Sequence, residues 1–507
     1  MRKALLDLLL AIPLIAVLGL APPTLAASPD AVLTIAVAAD PITLDPNATR
    51  DTTSNMYYGN MFEGLYDLDA DGKPQPSLAE SYKVIDDLTW EFKLRPGVKF
   101  HDGTDFNADA VKFTYDRTLD PSFKTGWRSF IDPVANVEII DPLTVRIHTK
   151  TPFPTLLAQL SYLPIVSPTA VQKEGAEGFG KAPVGTGPYK FKEWIPGTRL
   201  ALDAFNGYWR GPARIKHVVI RPIPELSTRI SELETGGVDI IMQVPPDQVA
   251  RLKKNPSLKI VGVASTQPMV LQINTRASNK VLADIRVRQA LNLAIDRAAV
   301  KDQLLLGQAT LINGPVTPEY LGYDASLPAP TYDPEKAKAL LREANAVGTK
   351  LVYSTPSGRY VQDTQIAEVV ADQLRAVGFD VTIQPLEIAQ YVQRLQNRTI
   401  GDLVYIGIGS EDLDAGTVLQ VYFGGDSVWS QYANAGLDKA IGDVVPVVDH
   451  AARVAAAKAA VKMAVDQSVG VWLWDAKYLF GLNARVVTKP HSGDWHPIVA
   501  YETDLTN

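Results

Sequence analysis

The side chains able to do chemistry are few and scattered. The 507 residues contain no cysteine, which removes a thiol nucleophile, a cysteine-ligated metal, a disulfide and a lipid attached through cysteine. Six histidines are spread along the chain, and only His491 and His496 stand close together. A lone pair is too few ligands for a closed metal site, so solvated loop residues are the better reading and no metal is expected. Carboxylate pairs such as Asp86-Asp87 fall in turn sequences, where aspartate serves its own backbone. A Gly-x-Ser-x-Gly elbow, a phosphate loop and a His-Glu-x-x-His pair are all missing. No catalytic residue and no cofactor is therefore expected.

The remaining candidates are groups that bind. Arg359 lies in Thr355-Pro356-Ser357-Gly358-Arg359-Tyr360, between a predicted strand and a predicted helix. A helix start and an arginine fork both favour an anion, so Arg359 either anchors an anionic ligand group or bridges acidic residues on the surface. Aromatic side chains can give a cleft an apolar wall with polar tips. Tyr57, Tyr58, Trp429, Trp472 and Trp474 are the candidates, with core packing as the alternative. Trp472 and Trp474 are two apart and should share one face of a strand.

These residues need elements to hold them. Val32 to Ala38, Thr89 to Leu94, Leu143 to Thr149, Tyr189 to Phe191 and His217 to Arg221 read as strands in the first part of the chain. Near residue 275 the pattern turns to helices. Asp284 caps one with Val287, Leu291, Ala294, Ile295 and Ala298 at helical spacing, and Asp333-Pro334 starts another. Then come a strand (Lys350 to Ser354), a helix with Ile366, Val369, Val370, Leu374 and Val377 on one face and Gly378 as its stop, and a strand (Asp380 to Gln384). That order predicts a parallel α/β unit. Asp402 to Ile408 reads as a further strand and Ala451 to Val465 as a last helix.

A chain of this length needs more than one core. Apolar residues make up 46% and charged residues 21%, which suits a folded chain rather than a disordered one. The formal charge is −7 with no long basic run, so a nucleic-acid partner is not expected. Arg2 and Lys3, the apolar run Leu8 to Ala21 and the small residues near Ala26 predict a secretory signal over residues 1–26, cleaved before Ala27. No later stretch is apolar enough to span a membrane. Together these features point to a freely diffusing periplasmic protein.

Residues 76–117 contain Thr-Trp-Glu-Phe-Lys-Leu-Arg-Pro-Gly-Val-Lys-Phe-His-Asp-Gly-Thr, from Thr89 to Thr104. This stretch strongly resembles the signature of the family 5 solute-binding proteins, which serve peptide, nickel and opine ABC importers. Leu44-Asp45-Pro46, Phe62-Glu63-Gly64-Leu65, Gly185-Thr186-Gly187-Pro188-Tyr189, Arg286 to Leu291 and Ala294 to Arg297 are similar to other family pieces and stand in the family's order. The resemblance covers essentially the whole mature chain. It implies a two-lobed periplasmic binding protein of the large peptide-binding type, with mixed sheets, helices and two hinge crossovers. Lobe 1 would span 27–271 and return over 477–507, and lobe 2 would span 272–476. The crossovers would lie near Gln267 to Asn274 and Trp472 to Leu482.

The resemblance also implies site residues. Arg50, Asp51 and Thr52 would form a first-lobe wall of the cleft, and Arg359 would meet a ligand carboxylate. Glu411 falls where peptide-binding members carry an aspartate for the ligand's ammonium, and Asp414 falls at their second aspartate. Asp412 is the substitute should Glu411 not serve. This chain departs from that pattern by its glutamate and by Ala415 in place of proline. The implied function is capture of an oligopeptide or dipeptide by a monomer that hands it to inner-membrane permease subunits. The alternatives are an opine, a sugar conjugate or another small polar metabolite. A periplasmic hydrolase is the alternative from another class.

Overall fold

Alternating side chains build the first sheet. Trp90, Phe92 and Leu94 in the strand Thr89–Leu94 are buried, while Lys93 between them is exposed. This strand and Thr144–Thr149 form the middle of an antiparallel four-stranded sheet, flanked by Ala79–Asp86 and Val134–Asp141. The helix Ala108–Leu119, capped by Asn107, covers its inner face.

The computed structural model describes residues 31–493 and 497–506. The signal expected over residues 1–26, and His496, lie outside them. Among the described residues no helix is long and apolar enough to cross a membrane.

One strand ties the chain together. Gly470–Asn483 has fourteen residues. Its first half pairs antiparallel with Met269–Ile273, and its second half with Ile240–Met242 and Leu258–Ala264. On the first-half side the sheet continues through Leu403–Gly407, Lys350–Pro356 and Asp380–Leu386. The last two pair parallel across the helix Asp363–Val377, which is the α/β unit expected from sequence, with Gly378 at φ 114 closing the helix. On the other side Val32–Val37 runs parallel to His217–Pro222 and to Ile240–Met242. The chain thus forms two lobes in one mixed sheet. It crosses once through residues 265–268 and once within Gly470–Asn483.

Each lobe has its own cores. In the second lobe one cluster centres on Leu271, Leu291, Val370, Leu374 and Tyr405, and another on Val404, Leu419, Val444 and Val461. In the first lobe Ile35, Tyr57 and Ile220 lie in one cluster and Phe92, Phe100 and Trp127 in another. Trp472 and Trp474 do not share a face, contrary to the spacing argument. Met269 faces Trp474 while its neighbour Val270 faces Trp472, so Leu473 is an extra residue in the ladder. Such a bulge breaks the alternation. Trp472 therefore packs on Phe423 in one core, while Trp474 joins the other.

Candidate functional site

Asp45 fixes the loop that carries Arg50. Its carboxylate accepts from the Asn47 N–H (3.0 Å) and forms a buried ion pair with both terminal nitrogens of Arg117. Around them the Thr125 hydroxyl donates to the Asn47 carbonyl (2.6 Å), and the Trp127 indole donates to the carbonyls of Pro46 (2.8 Å) and Thr49 (2.9 Å). This bonding leaves the loop little freedom. Arg50 emerges from it with its guanidinium 4.4 Å above the Phe130 ring and 5.7 Å from that of Trp127. Cation–π contact of this kind holds an arginine in place while leaving its edge free to donate.

The opposite wall is the segment after the strand Leu403–Gly407. The Ser410 N–H donates to the Tyr320 hydroxyl (3.0 Å), which donates to the Thr266 carbonyl (2.6 Å) in the crossover. Glu411 follows, with its carboxylate 2.5 Å from the Arg50 guanidinium and its carbonyl accepting from the Tyr162 hydroxyl at 2.5 Å. Arg50 and Tyr162 belong to the first lobe and Glu411 to the second, so the lobes meet here. Gly72 faces Leu413 across the same gap. A Cβ at Gly72 would stand 2.2 Å from a Leu413 methyl, and its φ of +81 also excludes most side chains.

Beside this contact opens a cleft of about 860 Å³, the size of a small-solute site. The first lobe lines it with Arg50, Thr52, Asn55, Phe62, Glu63, Asp67, Tyr162, Trp209 and Arg210, and the second with Ser410, Glu411, Leu413, Tyr422 and Trp429. Of the residues expected from sequence, Arg50, Thr52, Glu411 and Trp429 come together here.

The others stand elsewhere. Asp51 caps the helix Thr52–Tyr58, accepting from the Ser54 N–H (2.8 Å). Tyr57 is fully buried, with its hydroxyl on the Ala39 carbonyl (3.0 Å). Asp414 is buried, caps the helix Ala415–Phe423 and takes both Nε and a terminal nitrogen of Arg453 at 2.8 Å. Asp412 accepts from the Thr417 hydroxyl (2.8 Å), and burial, with the nearby Asp414 charge second, pushes it up to about 6. Trp474 is 1% exposed in the core. Arg359 is exposed beyond the strand Lys350–Pro356, with its guanidinium 5.7 Å from the Tyr360 ring, and does not line the cleft. Its backbone N–H, not its side chain, meets Asp363 (2.8 Å).

Sequence reasoning did not single out Glu63. Gly185 and Gly187 press so closely on the Met61 backbone that a Cβ at Gly185 would lie 2.1 Å from its carbonyl oxygen. This brings the Thr186 hydroxyl to Glu63 (2.9 Å), which also accepts from the Tyr208 hydroxyl (2.8 Å) and the Trp209 indole (3.0 Å). The signal was the pair of family-like pieces around Gly64 and Gly187, although nothing in the sequence says that they touch.

Burial outweighs the three donors and pushes Glu63 up to about 7, from an ordinary value of 4.5. The folded protein therefore holds a proton that the unfolded chain has already lost between those values. Stability is expected to fall as pH rises from 4.5 to 7, by about 3 kcal/mol from this group alone. Asp412 and Asp475, each pushed up to about 6 chiefly by burial, act in the same direction. Thermal melts of wild type and Glu63→Gln across this window isolate the Glu63 share. The variant is expected to show a clearly shallower decline, and an unchanged slope contradicts the assignment.

His491 lies at the cleft margin, its Nε2 3.0 Å from the Glu502 carboxylate. Among the described residues no group of three His, Cys, Asp or Glu side chains is placed to hold a metal ion.

Comparison with known proteins fits this architecture. Residues 73–430 match a family described as bacterial extracellular solute-binding proteins, family 5. The glutathione-binding protein GsiB of Escherichia coli O1:K1 is 35% identical over 371 residues, covering 72% of this chain and 71% of that protein. GsiB of Escherichia coli K12 is 34% identical over the same shares. Among solved structures, HbpA2 from Haemophilus parasuis superposes with a TM-score of 0.86 at 23% identity, covering 94% of this chain and all of that one. DppA from Helicobacter pylori, in complex with the peptide STSA, superposes with a TM-score of 0.71 at 25% identity, covering 94% and 98%.

Proposed function

The chain belongs to the family 5 bacterial extracellular solute-binding proteins of ABC importers, and from that premise we propose that its solute is a small peptide or an amino-acid conjugate held between the two lobes. Proteins of this kind bind a small ligand and deliver it to permease subunits, and the relatives are substrate-binding proteins rather than enzymes. The observation that carries the ligand reading is the interlobe cleft with Arg50 on one wall and Glu411 on the other. A guanidinium and a carboxylate facing one space suit a solute that carries both charges. Trp429 and Tyr422 supply an aromatic surface for its body.

The same reading includes an exported, periplasmic monomer without a nucleic-acid partner, its signal ending near Ala26. It also puts the lobe boundaries near residues 271 and 476, the first a few residues beyond the 265–268 crossover and the second within the strand Gly470–Asn483. The ligand-facing set is Arg50, Thr52, Glu411 and Trp429. Arg359 is left outside it because it is not among the residues that line the cleft. An opine is the second reading, supported by the 26% identity to AgaA, solved in complex with agropinic acid.

Native mass spectrometry of the protein as purified, followed by calorimetry with glutathione and a dipeptide series, tests the reading. Retention or binding of a peptide or amino-acid conjugate at one-to-one stoichiometry is expected. Retention of a solute lacking an amino-acid moiety overturns the ligand class and leaves the binding-protein assignment standing.

A further inference from the structure

Arg50 and Glu411 are held differently. The Arg50 loop is fixed by the buried Asp45–Arg117 pair and the Trp127 indole, and its guanidinium is stacked on Phe130. The Glu411 backbone is fixed by Tyr162, but its side chain is half exposed and swings on two methylenes. Their ion pair is partly solvated at both ends, so it contributes little on its own. Glu411 can therefore move off Arg50 at small cost when something better enters. The entering groups must fit a particular shape. The two side chains touch at 2.5 Å, so the charges that replace this contact have to lie next to each other. A solute with its charges at the two ends of an extended chain would have to pry the walls apart to satisfy both.

We propose that Arg50 and Glu411 together recognise an α-amino-acid head group, one carrying its ammonium and carboxylate on the same carbon. The carboxylate lies on the Arg50 fork and the ammonium on Glu411. The exchange replaces one half-solvated ion pair with two charge-assisted contacts. The rest of the solute runs into the cleft past Tyr422 and Trp429. This assignment rests on the reading of the cleft as a small-solute site and narrows its ligand class to solutes joined through an amino-acid side chain or nitrogen, with the head group left free.

Two isomers test it by calorimetry. In γ-glutamylalanine the α-carbon carries both charges, whereas in α-glutamylalanine no carbon does. Composition and net charge are the same. Wild type is expected to bind the γ isomer at least about tenfold more tightly. Arg50→Gln is expected to bind both isomers equally, and Arg50→Lys to recover part of the preference, because a point charge does not reproduce the fork. If the thermal melt of Arg50→Gln shows misfolding, Glu411→Gln carries the test. It is expected to weaken the γ isomer and to leave the binding of its N-acetyl form unchanged. Equal binding of the isomers by wild type, or a γ preference that survives Arg50→Gln, overturns the proposal. If neither isomer binds while the purified protein retains another solute, this assignment fails and the solute-binding reading stands.

Discussion

Replacing Asp414 by alanine is expected to lower the stability of the second lobe by about 3–5 kcal/mol, the usual result of leaving one partner of a buried ion pair alone. Asp414 and Arg453 have side chains only 3% and 5% exposed, joined by two contacts of 2.8 Å. Asp414 also caps the helix Ala415–Phe423 through the Gly416 N–H (2.8 Å), so the substitution removes a cap worth about 1 kcal/mol besides. Arg453 would remain buried, still bonded to the Val444 carbonyl (2.8 Å) but without a counter-charge. The double variant Asp414→Ala, Arg453→Ala should lose less than the sum of the two single changes, since it leaves no orphan charge. Differential scanning calorimetry measures each. A loss below about 1 kcal/mol for Asp414→Ala would mean that the carboxylate is not holding Arg453 in solution.

The second large effect is expected at Trp474. This side chain is 1% exposed where the strand Gly470–Asn483 leaves one lobe for the other, and it packs in the core that contains Met269 and Tyr405. Trp474→Ala should cost about 3–5 kcal/mol through lost burial and the cavity it leaves. Trp474→Phe fills most of that volume and should recover the larger part. A core role also sets the binding result. Trp474→Phe is expected to bind solute within about threefold of wild type, because the side chain does not line the cleft. Affinity lost in Trp474→Phe with stability kept would instead make Trp474 a cleft wall.

Elements with strong local patterns were legible in the sequence. The strand Thr89–Leu94, the cap at Asp284, the proline start at Pro334 and the stop at Gly378 all stand where the local chemistry puts them. Local rules see only neighbours. The bulge that separates Trp472 from Trp474 arises in the pairing with Met269 and Val270, some two hundred residues away in sequence, and no spacing argument reaches it.

The site was legible in the same uneven way. Arg50 and Glu411 were each candidates, but nothing in the sequence says that residues 361 apart touch. Asp414 falls at a position of the family pattern, as Glu411 does, but it is buried against Arg453. Arg359 has the right local chemistry, a strand end followed by a helix, yet its guanidinium sits 5.7 Å from the Tyr360 ring and is not part of the cleft lining. Glu63 gave no chemical signal, because its character comes from burial against Tyr208, Trp209 and Thr186. The departure from aspartate at Glu411 has a physical consequence. The longer side chain spans the gap to Arg50, whereas an aspartate at the same backbone position would hold its carboxylate one methylene further back.

The central claim is that a solute is enclosed between two lobes that move on two crossovers. A ligand that touches both walls favours the closed arrangement by its differential affinity for it. Small-angle scattering of the protein with and without a saturating solute, identified from the native protein, tests this most directly. Without solute the half-solvated Arg50–Glu411 pair is too weak to keep the lobes together, so the radius of gyration is expected to fall on saturation, and to fall less in Glu411→Gln, which lacks the second-lobe charge. A radius unchanged at proven saturation would contradict enclosure between moving lobes.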